Sequence, residues 1–202
     1  MEEKSKREPL IIVVSAPSGS GKTTLTELIL GKMKGIKRSV SCTTREPRYG
    51  EKDRQDYIFI SKEEFEEKIE NEEFLEWEKN FGNYYGTPLD QFQKAVDDGV
   101  DIILSIDVKG GAKIKKAFPE SISVFITPPS KEELEERLRN RNTDGEEQVT
   151  IRLEESKKEM LAAEEYEYLI VNKDIEKAAD ELKTIIEDQR KNRKKKKEGA
   201  GK

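Results

Sequence analysis

The sequence predicts an α/β fold whose core is a parallel sheet with helices on both faces. Two observations indicate it: short apolar runs rich in β-branched residues, and stretches of helical pattern that separate them. Such runs are typical of strands buried on both faces, as in parallel sheets joined by crossover helices. The runs span residues 10–15, 101–106, 121–126 and 167–171.

The helices of this fold have recognisable starts. The first apolar run leads through a glycine-rich turn into a helical pattern from about Lys22 to Met33, and a second helical stretch follows residue 106. Ser61 and Ser130 each stand three residues before a glutamate, which predicts a capping box at two further helix starts. Thr87 precedes a proline, which favours a helix capped by Thr87 with the proline at its first position.

The composition narrows the class of protein. The chain has 202 residues, of which 40% are charged, with a net charge of −5, no histidine and one cysteine, Cys42. These counts exclude Ser-His-Asp and Cys-His catalysis, an internal disulfide and a cysteine zinc cluster. The N-terminus is charged and no segment has membrane-spanning length, so we expect a cytoplasmic protein that does not enter a membrane.

Changes of pattern divide the chain into regions. We expect residues 1–9 to be a disordered N-terminal extension and residues 10–189 to form one domain. Residues 36–95 break the alternation with short β-like pieces and turns, which predicts an inserted small α+β domain. Residues 139–152 are polar and carry arginines and a glycine, which predicts a lid. The core is then made of residues 10–35, 96–138 and 153–189.

The C-terminal residues are strongly basic. Residues 190–202 contain eight basic residues and one acidic residue. Basic runs can accompany nucleic-acid binding, but solvated, disordered termini are the commoner case. We therefore expect a disordered basic tail and no nucleic-acid partner.

The glycine-rich turn has the pattern of a phosphate-binding P-loop. It matches G-x-x-x-x-G-K-[ST] except that Ala16 replaces the first glycine, and it lies between a predicted strand and a predicted helix. Gly19 and Gly21 allow backbone amides to turn inward around a phosphate, to which Lys22 adds a positive charge. The Thr23 hydroxyl is an expected ligand of Mg²⁺. The predicted triphosphate-binding residues are Ala16, Pro17, Ser18, Gly19, Ser20, Gly21, Lys22, Thr23 and Thr24.

A second group of residues is suited to a phosphate monoester. Arg45 and Arg48 stand three residues apart with a proline between them, and two guanidinium groups can hold one phosphate. Tyr57 and Tyr85 can add hydroxyl donors. These residue types predict a site that binds a phosphate monoester.

The blocks S-x-T-T-R-x-P-R at residues 41–48 and G-N-Y-Y-G-T at residues 82–87 are far more specific than the P-loop. Through them the chain closely resembles guanylate kinases, from residue 10 to about residue 188. The resemblance implies a P-loop nucleoside monophosphate kinase fold, with residues 36–95 as the GMP-binding domain. It implies transfer of a phosphoryl group from ATP to GMP, with Mg²⁺ as cofactor and ATP and GMP as small-molecule partners.

The resemblance also implies roles for individual residues. Glu76 is expected to read guanine, because one carboxylate can accept hydrogen bonds from both N1–H and the exocyclic amine, a donor pair that adenine lacks. Asn172 is expected near the adenine of ATP. The implied GMP-binding residues are Ser41, Arg45, Arg48, Tyr57, Glu76, Tyr85, Thr87 and Asp107. The implied catalytic residues are Lys22, Arg45, Arg137, Arg141 and Arg152.

One position departs from the family pattern. The family usually has D-x-D at the end of the strand near residue 105, and this chain has Ser105-Ile106-Asp107. Asp107 matches the second aspartate, near the acceptor nucleoside. The first, usually close to the Mg²⁺ shell, is replaced by Ser105, which predicts altered positioning of the metal.

Two other functions are compatible with parts of the sequence. One is a P-loop kinase for another monophosphate such as AMP or dTMP, against which Glu76, Arg45 and Arg48 argue. The other is a guanylate-kinase-like module that binds phosphorylated proteins without catalysis. Such modules typically have a damaged P-loop, whereas Gly19, Gly21 and Lys22 are intact here. The sequence indicates no particular oligomeric state.

Overall fold

A computed structural model of the protein describes residues 8–80, 82–140 and 146–200. Most of the predicted N-terminal extension, part of the predicted lid, and Arg141 lie outside these ranges. The strands are β1 Ile11–Ser15, β2 Ile36–Arg38, β3 Cys42–Thr43, β4 Ile58–Phe59, β5 Phe74–Asn80, β6 Asn83–Pro88, β7 Asp101–Ser105, β8 Ile122–Thr127 and β9 Tyr168–Val171. The helices are α1 Lys22–Lys32, α2 Lys62–Glu70, α3 Leu89–Asp98, α4 Val108–Ala117, α5 Lys131–Arg139, α6 Glu146–Leu161 and α7 Ile175–Ala200, with a 3₁₀ turn at Ala162–Glu165.

The core is a five-stranded sheet in the order β2-β7-β1-β8-β9, in which every neighbouring pair is parallel. The predicted parallel sheet with helices on both faces is confirmed. Strand β2 is not among the strands predicted for this sheet. Because Ile36–Arg38 pairs with β7, the boundary predicted at residue 36 is wrong, and the insertion begins after residue 38.

Alternate side chains of the core strands enter two apolar layers. Ile12 and Val14 of β1 pack with Leu25 of α1 and Leu182 of α7. Val13 points to the opposite face and belongs to the layer that contains side chains of α3 and α4. Successive side chains of a strand point to opposite faces, and both faces of this sheet are covered by an apolar layer. Most positions of these strands are therefore apolar, so that they read as nearly continuous apolar runs.

The insertion is built around a second sheet in the order β4-β3-β6-β5, in which only β3 and β4 are parallel. Phe65 of α2 is fully buried there and its ring stacks on Phe74 and Tyr84. Helix α3 belongs to the core, since Phe92 and Ala95 are buried against the main sheet. The core therefore resumes at α3, whereas the predicted boundary was at residue 96.

The predicted helix caps are correct at two of three positions. The Ser61 hydroxyl accepts the Glu64 backbone N–H at 3.0 Å, and Ser130 caps α5 in the same way at 3.1 Å. Helix α3, however, has Pro88 as its N-cap and begins one residue later than predicted. The Thr87 hydroxyl instead donates to a carboxylate in the cleft described below.

The prediction of a disordered tail from residue 190 is wrong, because α7 continues to Ala200. Arg190 Nε donates to Asp101 Oδ2 at 2.7 Å, and Asp101, which has no exposed surface, also accepts the Leu10 backbone N–H at 2.7 Å. Arg193 donates to the Pro9 carbonyl at 2.7 Å. Part of the basic run thus satisfies buried acceptors of the core. Of the described residues, no helix has the length and apolar character needed to span a membrane.

Candidate active site

A cleft of about 650 Å³ lies between the P-loop, at the carboxyl ends of β1 and β7, and the second sheet. Ligands of open parallel sheets commonly bind at this edge. The predicted residues that line the cleft are Ala16, Pro17, Ser18, Gly19, Gly21, Lys22, Thr23, Thr24, Ser41, Arg45, Arg48, Tyr57, Glu76, Tyr85, Ser105, Asp107 and Arg152. Ser20, Thr87, Arg137 and Asn172 lie outside this lining.

The P-loop backbone has the geometry that its glycines predict. Gly19 and Gly21 have φ angles of 93° and 85°, in the left-handed region that favours glycine. A Cβ atom on Gly21 would also lie 2.5 Å from Asn172 Nδ2, so space as well as conformation requires glycine there. Among the described residues, the non-glycine residues with positive φ are Arg54 and Glu72. Ala16 therefore has a negative φ angle, at which a methyl side chain is tolerated.

Lys22 lies between the two halves of the cleft. Its Nζ donates to the Ile106 carbonyl at 2.8 Å. Burial of the ammonium lowers the pKa of Lys22, an effect opposed by the nearby carboxylates of Asp107, Glu159 and Glu76. A cation in these surroundings has a strong preference for additional negative charge close by.

Asn172 is hydrogen-bonded to the P-loop. Its side chain is buried, and Nδ2 donates to the Ser20 carbonyl at 2.8 Å. The Asn172 backbone carbonyl accepts a hydrogen bond from Arg137 Nη2 at 3.0 Å. Asn172 thus contacts the P-loop without lining the cleft, and Arg137 is bound to Asn172, also outside the lining. Arg152, by contrast, faces the cleft and donates to Ser18 Oγ at 3.2 Å.

The two predicted acceptor arginines are organised by a carboxylate that sequence reasoning missed. Glu51 accepts both prongs of the Arg45 guanidinium, each at 2.9 Å, and the Arg48 backbone N–H at 2.7 Å. Burial raises the pKa of Glu51, but these hydrogen bonds outweigh burial and hold it below its ordinary value. The sequence signal that could have indicated this role of Glu51 is its place at the end of a turn, three residues after Arg48.

Aromatic rings complete this part of the cleft. The Arg45 guanidinium lies over the Tyr57 ring, 5.3 Å from its centroid. Tyr57 meets Tyr85 edge to face with centroids 6.1 Å apart. Burial is the main cause that raises the pKa of Tyr57, so its hydroxyl stays protonated and can donate a hydrogen bond.

Glu76 lies in a close-fitting pocket at the inner end of the cleft. Its side chain is only 8% exposed, and Oε1 accepts the Thr87 hydroxyl at 2.6 Å. Gly110 leaves the room that Oε2 needs, since a Cβ atom there would lie 2.7 Å from it. Burial raises the pKa of Glu76 to about 7, although the Thr87 hydrogen bond acts in the opposite direction.

Asp107 and Ser105 lie where β7 ends. Asp107 caps α4, with Oδ1 accepting the Gly110 N–H at 2.8 Å and Oδ2 accepting a hydrogen bond from the Asn80 amide. Ser105 is half-buried and stands next to the backbone of β1, which continues into the P-loop. A side chain at position 105 therefore faces the phosphate-binding end of the cleft.

Glu159 of α6 is a second carboxylate that the sequence analysis missed. It lines the cleft and faces Lys22 and the backbone N–H of Ser18. Burial raises the pKa of Glu159 to about 7, an effect that Lys22 and the Ser18 amide oppose. In sequence, it is one of several glutamates on a charged helix, with no local feature to distinguish it.

Comparison with known proteins decides the family. A family model described as guanylate kinase matches residues 7–189. The chain belongs to the guanylate kinase family. The guanylate kinase of Caldanaerobacter subterraneus subsp. tengcongensis is 42% identical over 181 residues, which cover 90% of this chain and 88% of that protein. The guanylate kinase of Fusobacterium nucleatum is 46% identical over 177 residues, covering 88% and 95% respectively.

A solved guanylate kinase has the same architecture. The crystal structure of the enzyme from Anaplasma phagocytophilum matches with a TM-score of 0.76 and 36% sequence identity. The match covers 92% of this chain and 88% of that one. The fold of this member of the guanylate kinase family, with its two sheets and intervening cleft, is thus the nucleoside monophosphate kinase fold that the sequence predicts.

Proposed function

We propose that this protein is a guanylate kinase, which transfers the terminal phosphoryl group of ATP to GMP and produces ADP and GDP in the cytoplasm. The observation that carries the proposal is the juxtaposition, in one cleft, of an intact P-loop and a paired-arginine site, with the buried Glu76 carboxylate beyond them. Family membership supports it.

The donor half of the cleft binds the triphosphate of ATP. Gly19 and Gly21, with φ angles in the left-handed region, turn loop amides towards the phosphates. The loop ends at the N-terminus of α1, where the helix dipole favours an anion. Lys22 adds a full positive charge, and Asn172 keeps the loop in shape through the Ser20 carbonyl. The donor-binding residues are Ala16, Pro17, Ser18, Gly19, Ser20, Gly21, Lys22, Thr23 and Thr24.

The acceptor half binds the phosphate of GMP. Arg45 and Arg48 supply guanidinium groups, and Tyr57 and Tyr85 supply hydroxyl donors. Glu51 holds the planar Arg45 fork in place before the substrate arrives, so fewer rotamers are lost when the phosphate binds. The phosphate then shares this fork with Glu51, because a guanidinium has five N–H donors.

The base pocket selects guanine. Ionised Glu76 accepts hydrogen bonds from guanine N1–H and from its exocyclic amine, while Thr87 fixes the carboxylate from behind. Ser41 and Asp107 line the same part of the cleft and contact the acceptor nucleoside. Adenine presents no matching donor pair, and a buried carboxylate left without partners is costly.

Transfer needs positioning and charge stabilisation rather than a general base. The GMP phosphate has a second pKa near 6, so it is largely dianionic at neutral pH and is itself the nucleophile. Lys22, Arg45, Arg137 and the lid arginines Arg141 and Arg152 stabilise the charge that spreads over the transferring group. Arg152 already contacts the P-loop in the structure. Arg137 is bound to Glu133 and to the Asn172 backbone carbonyl, so it has to reorient before it can reach the transferring group.

Mg²⁺ is the proposed cofactor, and the residues present fit it. The Thr23 hydroxyl is exposed to the cleft at the first turn of α1, and no group of three or more His, Cys, Asp or Glu side chains among the described residues could hold a metal by itself. This is the pattern for an ion that depends mainly on substrate phosphates and water. When bound, Mg²⁺ neutralises charge on the donor phosphates.

A substrate panel tests the proposal. ADP release is followed with ATP and Mg²⁺ in the presence of GMP, AMP, dTMP or no acceptor. We expect rapid release with GMP alone. Equal rates with AMP or dTMP would make the protein a kinase for another monophosphate, and no release with any acceptor would favour a non-catalytic binding module.

A further inference from the structure

Glu159 is a carboxylate inside the cleft that the proposed reaction does not use. It lies two helical turns after Arg152 on α6, and the two side chains share the face that looks at the P-loop. Arg152 donates to Ser18 Oγ at 3.2 Å, and Glu159 faces the Ser18 backbone N–H. The carboxylate therefore approaches a group that a P-loop turns towards phosphate.

The charge of Glu159 also acts on the P-loop lysine. Lys22 is attracted to Glu159 and to Asp107, and its Nζ is held at the Ile106 carbonyl. One loop amide and the loop lysine thus both face an anion supplied by the protein itself. A backbone amide and a lysine are the two kinds of group with which a P-loop binds the phosphates of a nucleotide.

We propose that Glu159 is an internal counter-anion of the P-loop, which competes with the donor phosphates for Lys22 and the Ser18 amide and so lowers the affinity for ATP. The proposal rests on the proposed function, in that it takes the P-loop to be the ATP site. A triphosphate has to displace Glu159 or neutralise it before Lys22 and the Ser18 amide can turn to the nucleotide. The penalty reduces ATP affinity and leaves the acceptor side of the cleft unaffected.

The surroundings of Glu159 agree with this role. The charged groups that face it are Lys22 from α1, Asp107 from α4 and Glu155 from its own helix. Burial and the two carboxylates disfavour its negative charge, and Lys22 favours it. The negative charges of an incoming triphosphate disfavour the ionised form of Glu159 further, in addition to burial and the two carboxylates. Glu159 therefore has to move away or take up a proton when the triphosphate binds.

The test is the affinity for ATP in Glu159→Gln, which keeps the shape of the side chain and removes its charge. Binding of ATP with Mg²⁺ is measured by calorimetry at about pH 8 without GMP, so no turnover is needed. We expect a dissociation constant about five- to fifty-fold lower than that of the wild type, from removal of a close like charge. Glu159→Ala removes the same charge without leaving an amide and is expected to tighten binding as well.

Glu154→Gln is the matched control, because Glu154 is an exposed glutamate of the same helix, five residues before Glu159. It should change ATP affinity less than about twofold. At about pH 6 Glu159 is largely protonated in the wild type, since its pKa is raised to about 7, and the affinities of wild type and Glu159→Gln should converge.

The outcomes are distinct. Equal or weaker ATP binding by both Glu159 variants at about pH 8 would overturn the counter-anion role, as would a Glu154→Gln effect of the same size. Failure of the proposed function would appear elsewhere, as ATP binding without GDP formation in the wild type. Thermal unfolding of the variants identifies any loss of affinity that comes from misfolding.

Discussion

The Arg45 guanidinium and the Glu51 carboxylate form a two-pronged ion pair, with both N···O distances at 2.9 Å. The same carboxylate accepts the Arg48 backbone N–H, so one acidic side chain fixes the positions of both acceptor arginines. An arginine fork oriented before binding loses little conformational freedom when a phosphate arrives. Glu51 is therefore a positioning residue for the acceptor phosphate.

Replacing Glu51 by glutamine should weaken the use of GMP and leave that of ATP nearly unchanged. An amide cannot accept both prongs of the Arg45 guanidinium, so the fork loses its orientation. We expect the KM for GMP to rise about tenfold, which corresponds to about 1.4 kcal/mol. Steady-state kinetics with each substrate varied measures the effect. Glu46→Gln, an exposed change in the same loop, is the control, and an equal rise in the KM for ATP would refute the positioning role.

The pH dependence of GMP use should report Glu76. The folded-state pKa of Glu76 is raised to about 7, so the protonated form predominates as the pH falls below 7. A protonated carboxyl group cannot accept hydrogen bonds from both guanine donors. We expect kcat/KM for GMP to fall on acidification with an apparent pKa near 7. In Glu76→Gln this step should disappear and leave only the titration of the GMP phosphate near 6.

The same variant should lose base selectivity. The ratio of kcat/KM for GMP to that for AMP should drop by orders of magnitude in Glu76→Gln. Glu78→Gln is the control, because Glu78 lies two residues along β5 and pairs with Lys113. An unchanged ratio in Glu76→Gln would mean that another residue reads the base.

Position 105 should respond to an added carboxylate. Ser105 lines the cleft beside the P-loop strand, where the family usually places an aspartate. A carboxylate there can hold water in the Mg²⁺ shell, so Ser105→Asp should raise kcat or lower the Mg²⁺ concentration for half-maximal rate. The comparison is a Mg²⁺ titration of wild type, Ser105→Asp and the neutral Ser105→Asn at saturating ATP and GMP. A lower kcat with an unchanged titration would show that Asp merely repels the triphosphate.

The C-terminal helix should contribute to stability through Arg190. Its side chain pairs with Asp101, which has no exposed surface, so Arg190→Ala removes an ion pair from a buried carboxylate. The free energy of unfolding in urea should fall by about 3 kcal/mol. Lys191→Ala, next to it on the exposed side of α7, should change it by less than about 0.5 kcal/mol. A loss below that value for Arg190→Ala would mean that α7 does not depend on this pair.

The parallel core and the P-loop could be predicted because their signals are local. A strand buried on both faces reads as an apolar run, and Gly19 and Gly21 mark a backbone conformation that other residues rarely adopt. The boundary at β2 could not be predicted, since three residues with one buried side chain, Ile36, carry no distinctive pattern. Only the pairing with β7 assigns them to the core.

The missed carboxylates and the tail have a common explanation. The roles of Glu51, Glu159 and Arg190 depend on partners that folding brings near them. Arg190 meets Asp101 across 89 residues of sequence, and Glu159 meets a loop more than a hundred residues away. In a chain that is 40% charged, no local pattern separates such a residue from a solvated one. Thr87 was misread for the same reason, because its partner is Glu76 rather than the helix that follows.

Transfer of a radiolabelled γ-phosphate from ATP to GMP, with the product separated and identified, tests the central claim most directly. The account predicts labelled GDP in proportion to GMP, no labelled product with AMP, and almost none from Lys22→Ala, in which the charge that faces the donor phosphates is missing. Release of labelled inorganic phosphate without labelled GDP, or undiminished transfer by Lys22→Ala, would contradict it.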